Sequence, residues 1–282
     1  MSNQKLVNDF LKNLEGVSDT TKNEYRTKLN QMTNQVEFGG DEEDLIKFLE
    51  EIPNPNTRSN KAFALLRLRR YHNLPIGKLE DLREDNKANI RQHRKEVAKK
   101  NNESLVSYDE LLKALDGMQG RNYFMNYMYV KHGLRNRDIN VRYRPSLSKA
   151  TKNENLITFR PSQKSNKVTL YITDYKTAGT YGPKTIVIRD NRLFEELKGL
   201  DLKNGDYVFK KADGSKPSIN YMNVLATKHS INNYGEGRIA KILVKHLLDN
   251  KRFSELEELS QQRGTSLGTL YSVYNVQSNT DQ

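Results

Sequence analysis

Cysteine is absent from this 282-residue chain, and so is tryptophan. Without cysteine there are no disulfides and no thiolate metal ligands, which excludes a stapled secreted scaffold and any cysteine-based zinc site. Proline occurs at only 7 positions, and no internal repeat or low-complexity tract interrupts the chain. No apolar run approaches the roughly 20 residues that a membrane-spanning helix needs. The first residues, Met1-Ser2-Asn3-Gln4, are polar and lack the apolar centre of a secretory signal. These absences predict an intracellular protein without membrane partners, in the cytoplasm of a prokaryote or, if viral, in the nucleus or cytoplasm of a host cell. Neither a metal nor a cofactor is expected.

What is plentiful is positive charge. Lys and Arg number 47 against 35 Asp and Glu, a net charge of +12. A surplus of this size attracts polyanions beyond contact range and speeds encounter with them. Nucleic acid is the leading partner. An anionic membrane fits less well, because the basic stretches have no tryptophan and no continuous apolar face. The Asn- and Lys-rich composition is compatible with an AT-rich mobile element or virus.

The length suits two domains with separate cores. Residues 1–82 read as a helical bundle. Leu6, Phe10, Leu11 and Leu14 recur at helical spacing; Ser18-Asp19-Thr20-Thr21 starts a second helix, with Glu24 three after Thr21 as in a capping box. Leu45, Phe48 and Leu49 mark a third, and a fourth runs from Thr57 to Tyr71, carrying Arg58, Lys61, Arg67, Arg69 and Arg70. Pro75 and Gly77 are expected to close this bundle. Residues 83–103, with Arg91 and Arg94 among many cations, read as a basic, partly helical linker: a solvated charged helix or a strap along a phosphate backbone. Residues 104–282 mix helices with strands near Leu156–Phe159, Val168–Ile172 and Thr185–Ile188, with a short extended piece at Tyr207-Val208-Phe209 and a last helix over 266–275. The expected fold class is mainly α with a small β-sheet (α+β).

Four chemistry-bearing pieces follow in order: Arg135 in Gly133-Leu134-Arg135-Asn136-Arg137-Asp138, Lys176 in Asp174-Tyr175-Lys176-Thr177, Arg238 in Gly235-Glu236-Gly237-Arg238, and Tyr274 near the end of the sequence. Opening a phosphodiester builds charge on its non-bridging oxygens. Arginine answers that charge with a permanently protonated, planar, bidentate fork. A phenol oxygen attacking phosphorus conserves the bond energy as a phosphotyrosine ester, and a lysine can protonate the departing oxygen.

The order and surroundings of these pieces resemble the tyrosine recombinase (integrase) family, which shares its catalytic domain with type IB topoisomerases. His132-Gly133-Leu134-Arg135 with Asp138 is similar to the family's first arginine box. Asp174-Tyr175-Lys176-Thr177 lies where its β-hairpin lysine sits, and Gly264 to Tyr274 aligns without gaps to its terminal tyrosine box. The resemblance implies Arg135 and Arg238 as phosphate clamps, Asp138 as support for Arg135, and Tyr274 as nucleophile with Tyr271 as the alternative. It implies Lys176 as general acid, with Lys184 as the fallback. An N-terminal core-binding domain on double-stranded DNA and a tetramer on two DNA sites are also implied; the candidate DNA contacts are Arg58, Lys61, Arg67 and Arg70 on its basic fourth helix and Arg91 and Arg94 in the basic linker. The family's histidines are missing: Gly235 and Thr265 stand in their places, and His229 or His246 could substitute, although His246 also reads as a structural residue at a helix end. Site-specific DNA recombination is the leading expectation. A type IB topoisomerase-like enzyme and a catalytically lapsed DNA-binding protein are the alternatives.

Overall fold

The computed structural model describes residues 2–102, 105–146, 154–161 and 166–271. Among them no helix is long and apolar enough to cross a membrane. The protein is mainly helical with one small mixed sheet, and it divides into two compact units, 1–101 and 102–282.

The first unit is built on α1 (Asn3–Lys12), α2 (Asp19–Asn30), α3 (Glu42–Glu50), α4 (Pro55–Tyr71) and the start of α5 (Gly77–Asn102). Three of these helices begin on short polar side chains that accept orphan backbone N–H groups: Ser18, Asp41 and Asn54, the last with Pro55 at the first helical position. Ser18 itself is the cap, receiving the Thr21 N–H at 3.2 Å, so Glu24 lies beyond the reciprocal position and pairs with Lys28 instead. The capping box expected there is not formed. One does form at Ser107 and Glu110 in the second unit.

Phe10, Leu29, Met32, Phe38, Leu45, Leu49, Leu65 and Leu68 fill the core of the first unit. Each fully buried leucine contributes about 2 kcal/mol from loss of apolar contact with water. Arg69 is buried among them. Its guanidinium donates to the carbonyls of Pro75, Phe38 and Gly40 at 2.7, 2.8 and 2.9 Å, stitching two loops to α4. Gly77 does not end the bundle. It opens α5, whose Leu79 is fully buried and whose Asn86 amide donates to the carbonyl of Pro55 at 3.0 Å. The break that composition suggests at residue 83 therefore falls inside one unbroken helix.

The second unit wraps α6 (Tyr108–Asp116), α9 (Asn191–Lys198), α10 (Ile219–His229), α11 (Glu236–Asp249) and α12 (Phe253–Arg263) about α7 (Gly120–His132) and a sheet. Helix α7 is buried from Tyr123 through Val130, which is why it reads as apolar on every face. The sheet runs in the order β1 (Arg142–Tyr143), β2 (Leu156–Thr158), β3 (Lys167–Ile172), β4 (Lys184–Arg189). β1 and β2 are parallel and the other pairs antiparallel, with Val168 opposite Ile188 and Ile172 opposite Lys184. Between β3 and β4 the turn carries one helical loop, α8 (Ala178–Tyr181). The extended piece at 207–209 is tied to the edge by the Val208 N–H donating to the Val141 carbonyl. The last helix begins as α13 (Leu267–Thr269), and Leu270 is buried beside Leu243, Leu247 and Leu259.

Candidate functional site

Helix α7 ends on Gly133, which takes a left-handed conformation (φ +57°). The positive φ favours glycine, and a Cβ there would also meet Leu259 Cδ1 at 2.6 Å and force that side chain to shift. The reversal buries Leu134 and leaves Arg135 half-buried at the start of a tight turn. Asp138 closes that turn: its Oδ2 accepts the Arg135 N–H at 3.2 Å, while the Asp138 N–H donates to the Arg135 carbonyl at 2.9 Å.

Three groups from separate segments meet the C-terminus of α12. Lys184 Nζ donates to the Gln262 carbonyl at 2.6 Å, Arg135 Nη1 to the Arg263 carbonyl at 2.5 Å, and Thr177 Oγ1 to the Gly264 carbonyl at 2.5 Å. Helix ends leave carbonyls without intrahelical partners and carry partial negative charge, so cations and hydroxyls are the groups expected to satisfy them. Gly264 (φ +57°) is the left-handed cap of the same helix. A Cβ on it would meet the Tyr175 ring at 2.5 Å and Thr177 Oγ1 at 2.8 Å.

The turn bearing Lys176 is therefore packed directly against the segment that leads to Tyr274. Tyr274 lies outside the described residues. Tyr271 is described and is 43 % exposed. Thr265 is buried next to the cap, its N–H donating to the Ser260 carbonyl and its own carbonyl accepting from Ser260 Oγ.

A second tie joins the Lys176 turn to the Arg135 turn. The buried amide of Asn155 donates to the carbonyls of Arg137 and Asp174, both at 2.9 Å, and its Oδ1 accepts the N–H groups of Thr173 at 2.9 Å and Asp174 at 2.7 Å. Outside this tie Asp174 pairs with Arg137 at 2.5 Å and with Lys216 at 3.3 Å. Lys176 is exposed, and its ammonium has no hydrogen bond or ion pair among the described residues. Lys184 is the opposite case. It sits 4.0 Å from the centroid of the Tyr175 ring and 3.5 Å from Asp138, and burial lowers its pKa against the pull of that carboxylate.

The first turn of α11 completes the cluster. Glu236 accepts the Asn136 N–H, and Arg238 stacks its guanidinium over Tyr234 at 4.3 Å. Asn136 is also held by Tyr129 Oη, which donates to its Oδ1, and its own amide donates to Asn223 at 2.8 Å. Burial raises the Glu236 pKa; the Asn136 N–H and the nearby Arg263 and Arg135 act against that rise. Thus Arg135, Asp138, Lys184 and Thr265 share one cluster, the Lys176 turn abuts it, and Glu236 links the Arg238 helix to it.

His246 is not brought into this group. It lies at the other end of α11, two turns on from Arg238, stacked on Tyr108 at 4.2 Å with Nε2 3.2 Å from Arg252 Nη1. Burial, with Arg252 beside it, lowers its pKa. His229 closes α10, where its carbonyl accepts the Asn126 amide at 3.0 Å.

The basic residues of the first unit fall into two classes. Arg58 donates to the carbonyls of Ile52 and Glu50, capping α3, and Arg70 pairs with Glu80 at 2.5 Å. Lys61 lies 5.8 Å from the Phe48 ring centroid, and Arg67 has no hydrogen-bond or ion-pair partner among the described residues. Arg91 is exposed on α5, and the side chain of Arg94 lies outside the described residues.

Asn155, Arg263, Thr177 and Glu236 tie this cluster together, and the sequence does not single them out. Thr177 and Glu236 sit inside the boxes themselves. Arg263 reads as an ordinary cation in a last helical turn, and a lone asparagine before a strand carries no signal. No model of a known protein family matches the chain, and no curated protein is similar to it.

Proposed function

We propose that the protein is a DNA breaking–rejoining enzyme of the tyrosine recombinase type. In this reading Tyr274 attacks a phosphodiester, forms a 3′-phosphotyrosine and frees a 5′ hydroxyl. Arg135 and Arg238 hold the non-bridging oxygens. Lys176 gives its proton to the departing 5′ oxygen, and rejoining reverses the step with the 5′ hydroxyl of a partner strand. The first unit acts as a core-binding domain on double-stranded DNA, and exchange takes place in a tetramer on two sites.

The observation that carries this reading is the convergence on the end of α12: a guanidinium from the Arg135 turn and a hydroxyl from the Lys176 turn bind consecutive carbonyls, ten residues before Tyr274. Such an arrangement ties phosphate donor, acid-bearing turn and nucleophile-bearing segment to one anchor. Preorganised donors of this kind are worth roughly 10² to 10³ in rate each. The ammonium of Lys176, exposed and without a partner among the described residues, suits a group that must reach a substrate. Lys184 donates to a helix end and contacts Asp138, which suits a structural lysine.

A second reading, a DNA-binding protein of the same fold whose chemistry has lapsed, is favoured by Gly235 and Thr265, which carry no imidazole for proton transfer. A nicked suicide duplex separates the two. Recombinase chemistry predicts a covalent protein–DNA adduct that disappears in Tyr274→Phe; DNA binding with no adduct from the unsubstituted chain supports the lapsed form. Relaxation of supercoiled plasmid without any specific site would instead indicate a topoisomerase.

A further inference from the structure

We propose that Arg263 is a positioning residue for Arg135, fixing the orientation in which that guanidinium meets a phosphate; the inference rests on the strand-cleavage reading. Arg263 ends α12 and is 1 % exposed. Its guanidinium Nη1 donates to the carbonyl of Gly133, two residues before Arg135. In return the Arg263 carbonyl accepts Arg135 Nη1 at 2.5 Å. Each arginine thus binds the main chain of the other's segment, and the two left-handed glycines, Gly133 and Gly264, flank the exchange.

The placement has a cost that demands a reason. Taking a guanidinium out of water is unfavourable until its contacts offset it, and an apolar side chain of similar volume would fill the same space without that cost. Leu259, four residues earlier on α12, shows that the helix packs here with apolar side chains too. What an apolar residue could not do is hold the Gly133 carbonyl.

That hold matters because Gly133 is a hinge of positive φ, and its carbonyl direction sets how the chain enters the Arg135 turn. Arg135 has five N–H donors in a rigid plane. Nη1 is committed to the Arg263 main-chain carbonyl, and the Arg263 side chain, by holding the Gly133 carbonyl, keeps the two segments in register so that the plane is restrained and the remaining donors are left in one orientation for an oxyanion. Glu236, on the neighbouring Asn136 N–H, supplies opposite charge close to both guanidinium groups. Loosening Arg263 should therefore damage the clamp while the DNA-contacting surface of the first unit is untouched.

The test uses the full chain with Arg263→Met, which removes the donors, and Arg263→Lys, which keeps a cationic donor group. Arginine side-chain ¹⁵N NMR reads the order of Arg135, assigned by its loss in Arg135→Lys. The adduct rate at saturating nicked duplex, the DNA Kd and the Tm are measured beside it. In the wild type, Arg135 Nη signals are expected to be resolved, and in Arg263→Met averaged. The same variant should lose about tenfold or more in adduct rate, with Kd within about twofold of wild type, as expected when a preorganised donor is disturbed. Arg263→Lys should recover most of both.

Unchanged Arg135 signals in folded Arg263→Met overturn the proposal whatever the chain's activity. Should that variant fail to fold, the wild type alone decides, because an Arg135 rotating as freely as exposed Arg91 is not held. A wild type that forms no adduct sinks the cleavage reading instead, and the NMR outcome still stands.

Discussion

Thr177 donates its hydroxyl to the carbonyl of Gly264 at 2.5 Å, joining the turn between β3 and β4 to the end of α12. Lys176 precedes that threonine, so the bond limits how far the lysine can travel from the terminal segment. Thr177→Val keeps the shape and removes the donor. Because the Gly264 carbonyl is then left unsatisfied, we expect a loss of about 1 kcal/mol in stability and a larger fall in adduct formation on a nicked duplex. Equal losses in Thr177→Val and in a surface variant such as Thr180→Val would show that the latch does not matter.

Asn155 makes the second tie. Asn155→Ala leaves the Thr173 and Asp174 N–H groups and the Arg137 carbonyl without that partner. At roughly 1 to 3 kcal/mol for a buried unsatisfied group, a loss of about 3 kcal/mol is expected. Urea denaturation checks the magnitude. Asn155→Asp, which keeps the acceptor and loses the donor, should fall between the two, and a neutral Asn155→Ala would mean that the turns are held from elsewhere.

Much of the architecture was legible in the sequence, and the exceptions share a cause. Helices α1 to α4 announce themselves through apolar spacing and capping residues such as Ser18 and Asn54. Helix α5 is harder to read, because Leu79 and Leu82 are the apolar residues it adds to the core and most of its other positions are charged or polar, a pattern that also describes a linker. Of the site, Arg135 and Asp138 are singled out through the resemblance to a family's arginine box, and the turn they share is local, a glycine reversal closed by a carboxylate at i+3. The contacts of Asn155 and Arg263 are invisible in the sequence, since each depends on a partner 18 or more residues away, Arg137 and Gly133 respectively. His246 illustrates the converse: its place near a helix end suggested two roles, and the stack on Tyr108 with Arg252 alongside accounts for it structurally.

Burial of Glu236 predicts the sign of a pH dependence. Its folded pKa is raised by burial, above the unfolded value of about 4.3. Folding therefore favours the protonated form. The associated stability is present below the ordinary glutamate range and is lost as pH rises through the raised value. Glu236→Gln removes the titration while its amide oxygen can still accept the Asn136 N–H. Thermal unfolding at several pH values between about 4 and 8 should show the variant gaining on the wild type as pH increases. A gap that narrows with rising pH contradicts the assignment.

The cations of the first unit should separate by function. Arg67→Ala and Lys61→Ala are expected to keep the Tm and to weaken DNA binding, each flattening the plot of log K against log salt by about 0.9 for every phosphate contact removed. Arg58→Ala should instead lower stability by about 1 to 2 kcal/mol, because it strips the donor from the Ile52 and Glu50 carbonyls. A salt slope unmoved by Arg67→Ala would take that residue off the DNA surface.

The carbonyl-bound cations Arg69, Arg263 and Lys184 alter what the net charge of +12 means. A carbonyl is a dipole and cancels no formal charge, so these three groups still add to the long-range pull on a polyanion. At touching distance they have little to offer, since they are mostly buried and donate to the main chain. Attraction toward a duplex is accordingly stronger than the tally of backbone contacts it can end in, and the number of counterions expelled on association should fall short of what the charge excess alone would forecast.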